Sequence, residues 1–337
     1  MTNLQLNGFY TGEETLQEII KIGTKKATQK VPKHMLLGLI GGIYIGFSGI
    51  QVSITVGGAE GIRNTNPGVA YLMFGALFSL GFIFSVICGG EIFTDGLVYM
   101  IPPFLGKHIK FRNIMSNWII TFLMNLMGAF ISAWLLTYES DLLNKDPFNE
   151  WIKDFASEKV HEGWFILLLR GVSGGYLAGL AFFLAHSAQD VMSKIMAIFF
   201  PILVFGALNL EHVTASMYFI ITALLYKAPG ITFFKFLWHN LLPVTIGNIL
   251  GATIMVGSVY YYLYHRHPNY NDLDDDYNEK REEELNRMII DEDYELEVPT
   301  NVTRVFRTRK VTSVVKSSTQ NEDNLETESS VIGESSD

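Results

Sequence analysis

Two stretches of this chain, Met35 to Ser53 and Leu241 to Tyr264, contain no Asp, Glu, Lys or Arg. A helix needs roughly 20 mostly apolar residues to cross the hydrocarbon core of a bilayer, whereas a soluble domain intersperses charge with its apolar stripes. Apolar residues fill His34 to Tyr264 while both ends are polar and charged, the distribution of a membrane domain with two soluble tails. The pattern predicts an all-α, multi-pass membrane protein with six spans, drawn at Lys33 to Ser53, Ala70 to Glu91, Trp118 to Tyr138, Trp164 to Ala185, Ile195 to Tyr226 and Leu237 to Tyr264. Residues 1–32 then form an N-terminal segment, 33–264 the six-span domain and 265–337 a cytoplasmic tail that is mostly disordered.

Lys21, Lys25, Lys26, Lys30 and Lys33 precede the first span, and Lys107, Lys110 and Arg112 fill the loop after the second. The positive-inside bias makes these segments cytoplasmic, and an even number of spans puts both termini there, with the plasma membrane as the expected host. The segment Glu139 to Gly163 then faces outward, in keeping with its carboxylates Asp141, Asp146, Glu150, Asp154, Glu158 and Glu162. Trp118, Trp134, Trp151, Trp164 and Trp238 fall at or near span ends, as interfacial anchors do. Net charge is −9, but most of the excess lies after His267, so it argues for no nucleic-acid partner.

Thr11 to Gln29 opens with Thr-Gly-Glu-Glu and sets Leu16, Ile19, Ile20 and Ile22 against Lys21, Lys25 and Lys26. That is an amphipathic helix, lying on the bilayer surface or packed on the bundle, and Pro32 ends it where the first span starts. The single cysteine, Cys88, excludes an internal disulfide and a cysteine zinc site, and is expected to pack between helices. The first thirty residues lack the order of a cleaved signal, so an uncleaved amino terminus is expected. The tail carries acidic clusters, a basic patch at Arg304 to Lys310 and the triplet Asn301-Val302-Thr303, which a cytoplasmic location leaves unglycosylated.

Internal repeats point to two halves. Asn125-Leu126-Met127-Gly128-Ala129 recurs as Asn248-Ile249-Leu250-Gly251-Ala252, and Gly41-Gly42-Ile43-Tyr44-Ile45-Gly46 has a looser echo in Gly174-Gly175-Tyr176-Leu177-Ala178-Gly179. Glu91-Ile92-Phe93-Thr94 matches Glu211-His212-Val213-Thr214. Three spans per half force opposite orientations, so two inverted three-span repeats are expected, with the site where they meet.

An ionisable side chain inside a bilayer is costly unless it faces a cavity or a partner, so Glu91, Glu211 and His212 are the functional candidates. His212 is the only histidine expected near the midplane, and an imidazole exchanges a proton at ordinary pH. The run Gly89-Gly90-Glu91-Ile92-Phe93-Thr94-Asp95-Gly96 breaks span two, and Asn209-Leu210-Glu211-His212 breaks span five. Non-helical backbone at membrane depth is tolerated only beside a cavity or buried in protein. Broken helices two and five therefore predict a shared pore, with half-helix termini offering partial charge to a passing ion.

Cys88-Gly89-Gly90-Glu91-Ile92-Phe93-Thr94, the Glu211-His212 pair and the two Asn-x-x-Gly-Ala stretches resemble the signatures of formate/nitrite transporters, as do Arg170-Gly171-Val172 and Leu180-Ala181. The resemblance covers roughly Gly12 to Tyr264. It implies an aquaporin-like fold assembled as a homopentamer in the lipid bilayer, each protomer with its own pore for small monovalent anions, pH-dependent and proton-linked. It further implies Phe78 and Phe82 as the cytoplasmic constriction and Phe205 as the outer one, with Thr94 hydrogen-bonding toward His212 and Glu211 beside it. Glu91, Ile92, Phe93 and Asp95 would form the pore loop, and Gly175, Ala178 and Ser216 the vestibules. Gly175 and Ser216 stand where many members carry asparagine, which leaves acetate, lactate and hydrosulfide open beside formate and nitrite.

A bare anion meets a large desolvation penalty in an apolar constriction and the neutral acid does not; His212 with Thr94 can donate a hydrogen bond or a proton. An aquaglyceroporin-like channel for neutral solutes is one alternative, but no Asn-Pro-Ala box occurs. A non-transporting scaffold or receptor is another, which deletion of Asp272 to Asp337 distinguishes because transport should survive it. No phosphate loop, metal-spaced histidine pair or nucleophile elbow occurs, so no enzyme, cofactor or metal is expected.

Overall fold

A computed structural model describes residues 8–265; the acidic tail, its basic patch and the Asn301 triplet lie outside the described residues. Among the described residues five helices are long and apolar enough to cross a membrane. In chain order the principal helices are α1 (Gly12–Ala27), α2 (Val31–Gly58), α3 (Pro67–Cys88), α4 (Phe93–Tyr99), α5 (Phe111–Tyr138), α6 (Phe148–His161), α7 (Trp164–Ser187), α8 (Val191–Ala207), α9 (Val213–Leu225) and α10 (Phe233–His265).

α1 begins at a capping box: Glu14 N–H donates to Thr11 Oγ1 at 3.3 Å, and Thr11 N–H to Glu14 Oε2 at 2.8 Å, satisfying two of the helix's orphan donors. Its stripe of Leu16, Ile19, Ile20 and Gly23 is buried in the bundle, so of the two locations open to it α1 takes the packed one. α6 is a second amphipathic helix, inside the segment read above only as an acidic loop, and it buries Trp151, Ile152, Ala156 and Val160. Trp151 stacks on Phe155 at 4.8 Å instead of anchoring at an interface. Cys88 ends α3 on the exposed surface of the chain, not packed between helices as expected.

The helical runs of spans two and five stop and restart. α3 ends at Gly89, whose φ of 84° is left-handed, and α8 is followed by Asn209 at φ 47°. Glycine and asparagine are the residues that adopt this conformation at least cost, and each opens a short extended stretch containing a glutamate. Asn125 and Asn248 hold these stretches. Asn125 Nδ2 donates to Gly38 O and Glu91 O, both at 2.8 Å, and its Oδ1 accepts from Phe93 N at 2.8 Å. Asn248 Nδ2 donates to Gly171 O at 2.8 Å and Glu211 O at 3.0 Å, and its Oδ1 accepts from Val213 N at 2.9 Å. One amide thus satisfies two backbone groups that the broken helix orphans and ties them to a carbonyl of the adjacent long helix. Replacing Asn248 by alanine is expected to cost about 2 kcal/mol, since each bond contributes roughly 1 kcal/mol and less where the unfolded chain in the membrane finds other partners; thermal denaturation in detergent measures it.

α2 packs on α5 and α7 on α10. Gly175 makes the second crossing close: a Cβ there would lie 2.5 Å from Asn248 O. The position is a helix crossing with no room for a side chain, which corrects its reading as a vestibule position.

Candidate functional site

α4 and α9 are the short helices that follow the two breaks, and their first turns meet in the interior. Thr94 Oγ1 lies 3.0 Å from His212 Nε2, and Thr214 Oγ1 donates to Asn125 Oδ1 at 3.3 Å. His212 is 1 % exposed and is the N-cap of α9, with Ala215 N–H donating to its Nδ1 at 3.4 Å. An Nδ1 that accepts puts the proton of the neutral ring on Nε2. His212 then donates to Thr94, whose own hydroxyl proton has no acceptor among the described residues.

Three phenylalanines enclose the imidazole, with ring centroids at 5.1 Å for Phe82, 6.2 Å for Phe205 and 6.4 Å for Phe78. Phe78 touches both of the other rings, lying 5.8 Å from Phe82. Phe78 stacks on Phe205 at 6.1 Å and continues through Phe74 at 5.5 Å to Phe155, a further 5.6 Å away. Phe82 leads the opposite way, through Phe182 at 5.8 Å to Tyr99 at 6.0 Å. Phe78 therefore bridges Phe82 and Phe205, and Phe82 also meets Phe182, a residue sequence reasoning missed. The reason is helical geometry: Phe78 and Phe82 are one turn apart on α3, so both rings face His212.

A cavity stands at each end of this aromatic series. One, of about 250 Å³, is lined by Lys25, Lys26, Gln29, Glu91, Asp95, Tyr99 and His186 among others. The other, of about 420 Å³, includes Phe155, Lys159, His161, Arg170, Asn209 and Glu211. His212 lines neither, so the rings close the way between them.

Each break offers a buried glutamate to a lysine from an amphipathic helix. Lys159 Nζ lies 2.6 Å from Glu211 Oε1, and Ser216 Oγ is 3.5 Å from Glu211 Oε2. Lys26 Nζ lies 3.1 Å from Glu91 Oε1 and 3.6 Å from Asp95 Oδ1. Burial works against the charge of Lys26, yet the carboxylates of Asp95 and Glu91 outweigh it and hold the ammonium above its ordinary pKa. Asp95 also caps the break, its Oδ2 accepting from Ile92 N at 2.9 Å. Ile92 and Phe93 are buried beside it, and Ala178 is buried on α7. Sequence reasoning missed both lysines. One signal was available: Lys26 precedes Gly41 by the same interval as Lys159 precedes Gly174.

With this geometry in hand, comparison with known proteins is decisive. The model of the family described as formate/nitrite transporter matches residues 13–262. The chain belongs to the formate/nitrite transporter family. This is a family of membrane transporters and channels, not of enzymes. The chain is 31 % identical to a probable formate transporter of Methanothermobacter thermautotrophicus over 272 residues, 77 % of this chain and 98 % of that one. It is 27 % identical to the formate channel FocA of Escherichia coli K12, over 72 % of this chain and 90 % of that one. Among solved structures, one described as an FNT family ion channel superposes with a TM-score of 0.68 at 24 % identity, over 74 % of this chain and 98 % of that one. Another, a pentameric formate channel with formate bound, superposes at 0.62 with 26 % identity, over 70 % and 98 %. The fold is that of the formate/nitrite channels.

Proposed function

We propose that this protein moves small monovalent weak-acid anions, with formate foremost and nitrite, acetate, lactate and hydrosulfide in the same class, along a pathway through each protomer of a homopentamer. The observation that carries this reading is the family match together with a sealed imidazole, hydrogen-bonded to Thr94 and enclosed by Phe78, Phe82 and Phe205. The pentamer and the formate preference follow from the similar channel whose description names both.

In this reading the chain crosses the plasma membrane six times, α8 and α9 together making the fifth span, and the two halves are inverted repeats. The matching hydrogen bonds of Asn125 and Asn248 support the repeat. Residues 1–32 and 265–337 are cytoplasmic, so the Lys26 cavity is the inner vestibule and the Lys159 cavity the outer one. An anion reaches either vestibule beside a lysine and stops at the rings, because a bare carboxylate in an apolar constriction lacks the hydrogen bonds it had in water. His212 Nε2–H and the unused hydroxyl proton of Thr94 converge there. A proton delivered with the anion, held by the imidazole or carried on the acid, removes the charge that the rings exclude, so transport is pH-dependent and proton-linked.

Proteoliposomes test this. Uptake of radiolabelled formate at fixed total concentration is expected to rise as external pH falls, with acetate, lactate, nitrite and hydrosulfide ranked behind it. No uptake of any of these above protein-free liposomes, or uptake of glycerol in their place, contradicts the proposal.

A further inference from the structure

The half of the molecule around Glu91 carries two ionisable groups that its counterpart lacks. Registered on their shared hydrogen bonds and ion pairs, Lys26 answers to Lys159 and Glu91 to Glu211. The N–H of each glutamate donates to the carbonyl of its long helix, Leu37 or Arg170. In the same register Asp95 answers to Ala215, His34 to Leu167 and Thr121 to Val244. One half therefore carries a buried acid and base, Asp95 and His34, where the other has apolar residues.

Charge bookkeeping gives this difference a meaning. Glu211 and Lys159 balance each other. On the other side two buried carboxylates, Glu91 and Asp95, share one ammonium, Lys26. With both acids ionised their sum is one negative charge, which a proton on His34 cancels. His34 is 4 % exposed, and its Nε2 stands 3.0 Å from Glu91 Oε2, 2.8 Å from Thr121 Oγ1 and 3.3 Å from Asn117 Nδ2. Glu91 Oε2 and Asn117 Oδ1 are buried acceptors with no aligned donor, and such an acceptor costs roughly 1–3 kcal/mol. The single Nε2–H is shared between Thr121 Oγ1 and Glu91 Oε2, so what an imidazolium adds is positive charge 3.0 Å from a buried carboxylate oxygen that has no other partner.

Among the described residues Glu91 is the one charged group in contact with the ring. Lys26 reaches it through Glu91, Gln29 Nε2 donates to Glu91 Oε1 at 2.8 Å, and Tyr99 with His186 lies on the far side of Lys26. Lys26, Gln29, Glu91 and Asp95 all border the Lys26 cavity.

We propose that His34 is a second proton-binding residue of the pathway, separate from His212: its proton neutralises the Glu91, Asp95 and Lys26 cluster at the inner vestibule. Release of that proton leaves a net negative charge at the vestibule and opposes the anion. This rests on the anion-transport reading above and adds a control by cytoplasmic pH that the outer half does not have.

The test varies internal pH alone in proteoliposomes selected for inside-in orientation. Wild-type formate uptake is expected to fall as internal pH is raised across the range in which the vesicles stay intact. His34→Leu lowers uptake roughly tenfold, the effect of one unbalanced charge at the vestibule in a medium of intermediate dielectric, and flattens the internal-pH profile. The pair His34→Leu with Asp95→Asn is faster than His34→Leu alone without recovering the profile, and Asp95→Asn, whose Oδ1 can keep the cap on Ile92 N, flattens the internal-pH profile whatever its basal rate. A wild-type internal-pH profile in either single variant overturns the inference. Histidine-selective ¹³C labelling reads the same proton without any flux and without the leucine variant. One resonance that loses its imidazolium form on titration, and whose titration shifts in Asp95→Asn, supports His34. A neutral His34 throughout that range overturns it. A chain that moves no anion fails the transport reading, while the resonance still decides His34.

Discussion

Replacing His212 by phenylalanine is expected to lower formate uptake by roughly ten- to a hundredfold while the protein still folds. The ring sits among Phe78, Phe82 and Phe205, so a phenyl of nearly the same shape satisfies the packing. It removes a single interior hydrogen bond, from Nε2 to Thr94 Oγ1 at 3.0 Å, and the weak cap from Ala215 N–H to Nδ1. What it takes from the pathway is larger. A donor that interacts with a charged group contributes about 1.5–3 kcal/mol, and each 1.36 kcal/mol on a barrier is tenfold in rate. The remaining uptake should also lose its dependence on external pH. Initial rates in proteoliposomes, normalised to the assembled fraction on size exclusion, measure both effects. An unchanged rate with an unchanged pH profile removes His212 from the mechanism.

The largest stability effect is expected at the opposite end of the aromatic series. Lys159→Met leaves Glu211 buried at 1 % exposure without its 2.6 Å partner. Removing one member of a buried ion pair typically costs 3–5 kcal/mol, because the orphaned charge keeps its desolvation penalty. Ser216, at 3.5 Å, is too distant and uncharged to compensate. Adding Glu211→Gln removes the orphaned charge and should recover most of the loss. Thermal denaturation of the four proteins in detergent gives the coupling directly, and additive single effects contradict the pairing.

How much of this was legible in the sequence depended on whether a local rule governs the residue. The breaks were legible because Gly89-Gly90-Glu91 and Asn209-Leu210-Glu211 put helix-stopping and ionisable residues into apolar runs. The asparagines were visible as repeated motifs, but their three-bond grip on each break was not, since it joins groups far apart in the chain. Lys26 and Lys159 were hidden for a different reason. On an amphipathic helix a lysine reads as solvated, and only the neighbouring bundle makes it a buried counter-ion. His34 was set aside as near a span end, yet α2 buries it three residues after its first. The phenylalanines fared worst, because α3 is apolar on every side and no periodicity distinguishes a ring facing His212 from one facing lipid. The contact of Phe82 with Phe182 was therefore not legible, and Gly175 was read as a vestibule position although Asn248 occupies its space.

The central claim is that the weak acid and a proton cross together past His212. Proteoliposomes loaded with a pH-sensitive dye and held at zero membrane potential address it most directly when an inward formate gradient is imposed. The expected result is internal acidification that tracks formate uptake about one for one, above the slow leak of protein-free liposomes, and that disappears in His212→Phe. Formate uptake at full rate with no internal acidification, or acidification that His212→Phe leaves untouched, would contradict it.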